Sequence, residues 1–309
     1  MAYGLLTQTG SQDSDQSMKE DLIDIITDVS PDENPLFTML ARSTASQPLH
    51  QWLEDYISRP SSVSTSIEGS AATYADLTQP SRRTNWTGIV ATTFRVSGTE
   101  SAVEHAGMGD PFDYQATKAL TTWKNQAEYN IVNGTLASGS SGVARVMAGL
   151  DSVITSHYTA RLSGTSLSET EFNDMVKESW TDVGRSDTFD LVLVPFALKQ
   201  KISQFTAGST KMVQAEDKRL TSPVDVYVSD GGMHRIMAHK DVVSAAATPG
   251  PRFIGIKEDK YRLAFLRNPA KEELAKDGDR RNGQIVGEFT LEFLAERTSV
   301  RRSGYNQNG

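Results

Sequence analysis

The stretch Asp110–Gly134, DPFDYQATKALTTWKNQAEYNIVNG, limits what this chain can fold into more than any other. Both of its ends carry helix signals. Asp110 stands at an N-cap position with Pro111 in the first helical place, where a missing N–H costs nothing. Gly134 follows the last turn, where a left-handed residue closes a helix. Between them Phe112, Ala116, Leu120, Trp123, Ala127 and Ile131 recur at steps of three and four, and Ala119 widens the stripe. Thr117, Lys118, Thr121, Lys124, Gln126 and Asn130 fall on the remaining faces. The predicted rod is roughly 35 Å long, about twice the common helix length. Its other faces are too polar for a bilayer, so a sheet or further helices must lie along the apolar stripe. Taken alone, the pattern fits the core helix of an ordinary enzyme equally well.

Composition narrows the class. A chain of 309 residues can form one large or two medium domains with a real core. No apolar run reaches the roughly eighteen residues of a membrane span. The start, MAYGLLTQTGSQDSDQ, lacks the basic and apolar regions of a signal peptide, so no membrane partner is expected. Without cysteine there is no disulfide, thiolate nucleophile or sulfur-ligated metal, which agrees with folding in a reducing cytosol. A net charge of −8 argues against a sequence reader of DNA, which gains affinity by releasing counterions from phosphates. It does not argue against a wall that confines DNA without gripping it.

Along the chain, residues 1–17 are polar and read as an unpinned arm. Ser17 and Glu20 form a capping-box pattern ahead of Leu22, Ile25, Ile26 and Val29, and Pro31 stops that short helix. ENPLFTML (33–40) then offers Leu36, Phe37, Met39 and Leu40, too many apolar groups for so small a helix to bury by itself. They must pack on another part of the molecule or on a neighbour. His50–Ser58 reads as a strand, and so does Thr84–Ser97, with Trp86, Val90, Phe94 and Val96 on one face. Arg59–Arg83 between them holds hardly a hydrophobe, and the whole is expected to be an extended hairpin arm.

After the long helix comes a flexible connection at Thr135–Ala144. Ser168 and Glu171 form a capping box, Leu167 staples onto Phe172, and Phe172, Met175, Val176, Ser179, Trp180 and Val183 trace a buried helix face. Asp190–Pro195 is a strand buried on both faces, and Phe196–Phe205 is a helix with Leu198, Ile202 and Phe205 inward. Val224–Val228 and Met233–Ala238 are strands joined at Ser229-Asp230-Gly231-Gly232. These make a compact α/β unit of about 145–255. Tyr261–Leu266 and Ile285–Glu296 are strands, with a separate segment from Asn268-Pro269 to a turn at Lys276–Asp279. The tail, RTSVRRSGYNQNG, is polar.

A search for chemistry finds little. The phosphate loop, the dinucleotide fingerprint and His-Glu-x-x-His are absent, and Gly139-Ser140-Ser141-Gly142 lacks nucleophile-elbow spacing. His50, His105, His157, His234 and His239 are scattered and read as surface or packing residues. Asp277, Asp279 and Glu288 fall at positions 1, 3 and 12 of an EF-hand-like loop, but Arg281 and Asn282 occupy places that need an oxygen ligand and a glycine. Basic residues come only in pairs, as at Arg301-Arg302, too few for a nucleic-acid stripe. No catalytic residue, cofactor or metal is expected.

The order of these parts, with ENPLFTML, KNQAEYNIVNG at the end of the long helix and FLRNPAKEELAKDGDRRNGQIVGEFTLEF in the last strands, resembles the major capsid proteins of tailed bacteriophages. Those proteins share the Johnson fold with the herpesvirus capsid floor and with encapsulins. The resemblance covers nearly the whole chain and rests on the joint order. It implies an α+β fold: an N-terminal arm (1–45), an extended β-hairpin loop (46–100) and a peripheral domain with its spine helix (101–145). An α/β axial domain (146–255) follows, then peripheral strands and a C-terminal tail (256–309). It implies a structural protein, not an enzyme, that self-assembles through hexamers and pentamers into an icosahedral shell around double-stranded DNA, bound without sequence specificity. Separate scaffolding, portal and decoration proteins are the implied partners, with assembly in the host cytoplasm and residence in the virion capsid. Some such proteins crosslink subunits through a lysine–asparagine bond, but Arg59–Arg83 contains no lysine, so no covalent mesh is expected.

The physics agrees. An arm and a hairpin that project from a monomer leave apolar groups needing cover, and such surface is usually an interface. Leu36, Phe37, Leu40, Trp52, Tyr56, Trp86 and Phe94 are therefore the candidate inter-subunit contacts. Two other readings stay open: an encapsulin-like compartment holding protein cargo, and a soluble hydrolase centred on 146–255. The second rests only on carboxylates such as Glu171, Asp182 and Asp190, with no base, nucleophile and orienter to name together.

Overall fold

The computed structural model describes residues 34–57, 60, 62–71, 79–103, 109–205, 226–243 and 250–306. The predicted helix around Leu22–Val29 and His105 lie outside these residues, as does part of the hairpin tip. Helix α1 (Pro35–Met39) leads into strand β1 (Ala41–Thr44), then β2 (Leu49–Glu54), β3 (Ser81–Trp86), β4 (Gly88–Ser97) and the short α2 (Gly98–Ala102). The long α3 (Pro111–Asn133) is followed by α4 (Leu150–Val153), β5 (Tyr158–Thr165), α5 (Glu169–Val183), β6 (Leu191–Val194) and α6 (Phe196–Ser203). The chain continues through β7 (Val226–Ser229), β8 (Gly232–Ala238), β9 (Arg252–Ile256), β10 (Tyr261–Leu274), β11 (Arg280–Phe293) and β12 (Val300–Tyr305).

Three sheets result. One has the order β1-β10-β11-β4 and carries α3; a second has the order β5-β12-β9-β6-β8-β7; the third is the hairpin β2-β3 alone. The rod begins as predicted, with the Asp110 carboxylate accepting from the Phe112 N–H at 2.9 Å. Phe112, Ala116, Trp123, Ala127 and Ile131 are buried, while Leu120 turns out to be 39% exposed. Trp123 is tied to the sheet beneath by its indole N–H, which donates to the Val90 carbonyl at 2.8 Å. Gly134 is not left-handed (φ −55°). Its need is space: a Cβ there would lie 2.4 Å from the Met147 carbonyl oxygen, where the returning chain crosses the helix end.

Several strands depart from expectation. Thr84–Ser97 is not one strand, because Thr87 breaks it between two sheets. Its N–H donates to Pro48 O at 2.8 Å, and its hydroxyl donates to the buried Glu288 carboxylate at 2.6 Å. Asn268-Pro269 does not end a strand; β10 runs through it with its register shifted between Arg267 and Ala270. The proline is tolerated at such an irregularity because it owes no ladder bond there. Gly287 opposite leaves room, since a Cβ would meet the Trp123 ring at 2.6 Å.

The largest correction is the tail. Val300–Tyr305 is no loose end but a strand between β5 and β9 in the six-stranded sheet. Its polar residues are buried because they are paired: Tyr305 donates to Glu171 at 2.9 Å and Arg302 to the His157 carbonyl at 2.9 Å. The α/β unit read at 145–255 therefore closes only with this C-terminal strand. β6 is buried along its whole length, as expected of a central strand. On α5 the Ser168 hydroxyl caps the Glu171 N–H at 3.2 Å. The Glu171 carboxylate is not returned to the cap but goes to Arg161 at 2.8 Å and to Tyr305. Trp180, expected inward, is 48% exposed.

Candidate functional site

The hairpin β2-β3 is the part of the molecule with the least support of its own. Its strands pair from Leu49 opposite Trp86 to Glu54 opposite Ser81. A two-stranded ribbon is marginal in water, so its stem must be held from outside. Alternation puts Trp52 toward β11, where its indole N–H donates to Phe293 O at 2.7 Å. The Trp52 ring stands edge-on to that of Phe293, 4.8 Å between centres. Asn85 uses its whole amide: it donates to Leu291 O at 2.8 Å and Ala148 O at 3.1 Å, and accepts from Ala148 N–H at 2.9 Å. Just past β2, the Tyr56 hydroxyl donates to Asp182 Oδ1 at 2.7 Å. That bond, helped by desolvation and by the Asp182 charge, pushes the phenol above its ordinary pKa. The Arg297 guanidinium lies over the Tyr56 ring, 4.2 Å from its centre.

Beyond Tyr56, among the described residues, large apolar groups stand without cover. Ile57 is 89% exposed, Val63 91% and Ile67 83%, and Leu53 on the stem is 67% exposed. Sequence reasoning missed these four. For Val63 and Ile67 the available signal was their isolation, because a lone β-branched residue in a Ser/Thr-rich stretch has no local partner to bury it.

The seven expected contact residues divide. Leu36, Phe37 and Leu40 are buried in the chain's own core, which removes the reason for assigning them to a neighbour. Phe37 stands edge-on to Trp123, 5.6 Å between centres, and meets Phe265 and Phe289 in the same way. What holds α1 there is Glu128 of α3, itself fully buried. Its carboxylate accepts from the N–H groups of Leu36 at 2.9 Å and Phe37 at 2.8 Å, and pairs with His239 Nε2 at 2.8 Å. A carboxylate at a helix start satisfies donors that have no partner within the helix. Trp52, Trp86 and Phe94 are half-buried; Phe94 packs on Phe112 with ring centres 5.0 Å apart. Only Tyr56 of the seven is exposed.

The residues that might have suggested enzymology have other occupations. Asp190 accepts the Glu258 N–H at 2.9 Å and pairs with Lys257 at 3.1 Å. Asp182 receives Tyr56 and lies 3.5 Å from His157, whose other ring nitrogen faces Ser299 O. His234 is buried between Ser229 Oγ at 2.7 Å and Phe189 O at 2.8 Å, and burial lowers its pKa. Asp277 is gripped by Arg280 at the β10-β11 turn, while Glu288 sits in the sheet with Arg145 at 2.7 Å and Arg267 at 3.1 Å. Among the described residues no group of three or more potential ligands is placed to hold a metal. No helix among them is long and apolar enough to cross a membrane.

Solved structures with the same arrangement of parts include a capsid and an encapsulin complex. The capsid of a native GTA particle has a TM-score of 0.69 at 9% identity, covering 98% of this chain and 100% of that one. The Gordonia phage Cozz structure gives 0.64 at 13% identity, covering 98% and 99%. The holo-SrpI encapsulin of Synechococcus elongatus gives 0.55 at 9% identity, covering 94% and 92%. At such identities the likeness shows the fold, which is that of phage capsids. No curated protein matches in sequence. A family model does, that of the SU10 major capsid protein, over residues 5–305, and with that span matched the chain belongs to this family and is a major capsid protein, the structural subunit of a virion's shell.

Proposed function

We propose that the chain assembles through hexamers and pentamers into an icosahedral shell around the double-stranded DNA of a tailed phage. The observation that carries this is the hairpin arm, which is firmly anchored at its stem and presents Leu53, Ile57, Val63 and Ile67 without cover. A second copy supplies that cover. Tyr56 and the half-buried Trp52, Trp86 and Phe94 flank the contact. Contacts that do not close within a pair propagate into a sheet of subunits, which curvature closes. In this scheme 1–45 is the arm, 46–100 the hairpin loop, 101–145 with 256–309 the peripheral domain and 146–255 the axial domain, with β12 shared into the axial sheet. Scaffolding, portal and decoration proteins would join during assembly in the host cytoplasm. A net charge of −8 suits a wall that must not trap a polyanion. With no lysine in 59–83, the subunits are held without covalent bonds, and boiled particles give a single band on a denaturing gel.

Negative-stain microscopy paired with sedimentation velocity on the purified chain tests the reading. Closed shells, or rings that build into them, are expected; a monomer or dimer that never assembles at high concentration refutes it. Nuclease-protected DNA inside separates a genome container from an encapsulin-like compartment, which would hold protein.

A further inference from the structure

We propose that Tyr56, Asp182 and Arg297 form a clamp that fixes where the hairpin arm leaves the subunit, and so sets the angle at which its bare tip meets a second copy. The inference rests on the assembly reading above. The stem has two anchors on different supports. The inner one is the base of the ribbon, where Trp52 donates to Phe293 O at 2.7 Å and Asn85 to Leu291 O at 2.8 Å, both on β11. The outer one is Tyr56, whose hydroxyl reaches both Asp182 Oδ1 at 2.7 Å and the Asp182 carbonyl at 3.0 Å, at the end of α5. Held only at its base, the ribbon could bend away from the body; a second contact at its outer end fixes where that end points.

Arg297 closes the triangle. Its guanidinium covers the Tyr56 ring at 4.2 Å and lies 3.4 Å from each Asp182 carboxylate oxygen. A cation over an aromatic face is attracted to it, and here the same cation faces the acceptor of the phenol's hydrogen bond. Asp182 is backed by His157 Nε2 at 3.5 Å. Core packing does not account for this cluster, because Tyr56, at 39% exposed, lies outside the buried core. Its position does account for it: the next residue, Ile57, is 89% exposed, so among the described residues of the arm the clamp sits where cover ends.

The test compares shells made by the full-length wild type, Tyr56→Phe, Tyr56→Ala, Arg297→Ala and the double alanine variant. Shell diameters are measured by electron microscopy, and the melting temperature is measured on unassembled chain. Tyr56→Ala and Arg297→Ala are expected to keep the wild-type melting temperature while giving broadened diameters and open or malformed shells. The double variant should be no worse than either single one, because groups acting as one unit are not additive. Tyr56→Phe keeps the ring under Arg297 and loses only the hydroxyl bonds, so it should fall between. Uniform wild-type shells from every variant overturn the clamp, and so do additive defects in the double variant. If Arg297→Ala fails to fold, Tyr56→Phe and Tyr56→Ala decide between the same outcomes. A wild-type chain that forms no shell overturns the assembly reading instead.

Discussion

Helices α1 and α5 begin in opposite ways. α5 is capped by its own neighbour in sequence, Ser168, whose hydroxyl accepts from the Glu171 N–H three residues on. α1 is capped from 92 residues away, by the buried Glu128 carboxylate of α3. The contrast extends to the surroundings. Around α5 the core is an aromatic cluster centred on Phe172, which meets Phe189, Phe205, Tyr227 and Phe253 edge-on. Around α3, segments distant in sequence are stitched by buried charge: Glu128 to α1 and His239, and Glu288 to Arg145, Arg267 and Thr87. One region is built by local instructions and filled with apolar surface. The other is held in register by hydrogen bonds and ion pairs to buried carboxylates, which have meaning only once the fold exists.

The largest effect should come from breaking the remote cap. Glu128→Ala leaves two backbone N–H groups and His239 without their acceptor in a dry site. Each buried donor left without its acceptor costs about 1–3 kcal/mol. Urea unfolding of unassembled chain is expected to show that loss, and early proteolysis within residues 34–45 should show that α1 and β1 detach first. An intact α1-β1 segment would mean that the Phe37, Trp123 and Phe289 contacts alone hold the arm, and the contrast with α5 would shrink.

A second experiment sharpens the comparison, because the α5 region has one remote tie of its own. Tyr305 on β12 donates to Glu171 across 134 residues of sequence. Burial, then the Glu171 charge, pushes the Tyr305 phenol well above the ordinary value of 10.0. Burial does the same to Tyr261. The unfolded chain releases these protons near pH 10 and the folded chain only at higher pH. Their contribution is therefore complete below pH 10 and is lost as pH rises beyond it. Tyr305→Phe should cost about 1.5–3 kcal/mol at neutral pH, the worth of a bond to a charged acceptor. It should also flatten the fall in stability above pH 10. A series of urea titrations from pH 8 upward would show both, and an unchanged alkaline slope would refute the assignment.

The same contrast explains what could be read in the sequence. The cap and apolar stripe of α3, the Ser168 cap, the buried β6 and the turn at Ser229–Gly232 were legible because each is written within a few residues. Four strands, β1, β5, β9 and β12, were not. β5 and β12 carry arginine, serine and tyrosine at buried or paired positions, and polar residues read as exposed until their partners are known. β9 begins with Arg252, buried against Asp151 at 3.0 Å. The break at Thr87 was hidden for a similar reason, since it depends on Glu288 in another sheet. As for the functional site, the paired strands of the hairpin stem were foreseen. Which apolar residues stay bare was not, because the anchors that bury Leu36, Phe37 and Leu40 lie on α3.

The smallest effect belongs to the local cap. Ser168→Ala removes one acceptor at a partly solvated helix start, where water can replace it, and such caps are worth about 1 kcal/mol. The urea midpoint should fall with the slope unchanged, since no new surface is exposed in the folded state. Ser168→Asp should restore the loss, as its carboxylate both accepts the Glu171 N–H and faces the positive end of α5. The size of this loss beside that of Glu128→Ala is the real measurement. A severalfold difference would mean that the stability of this subunit is concentrated where remote segments meet. Equal losses would mean that the two helix starts differ in origin but not in weight.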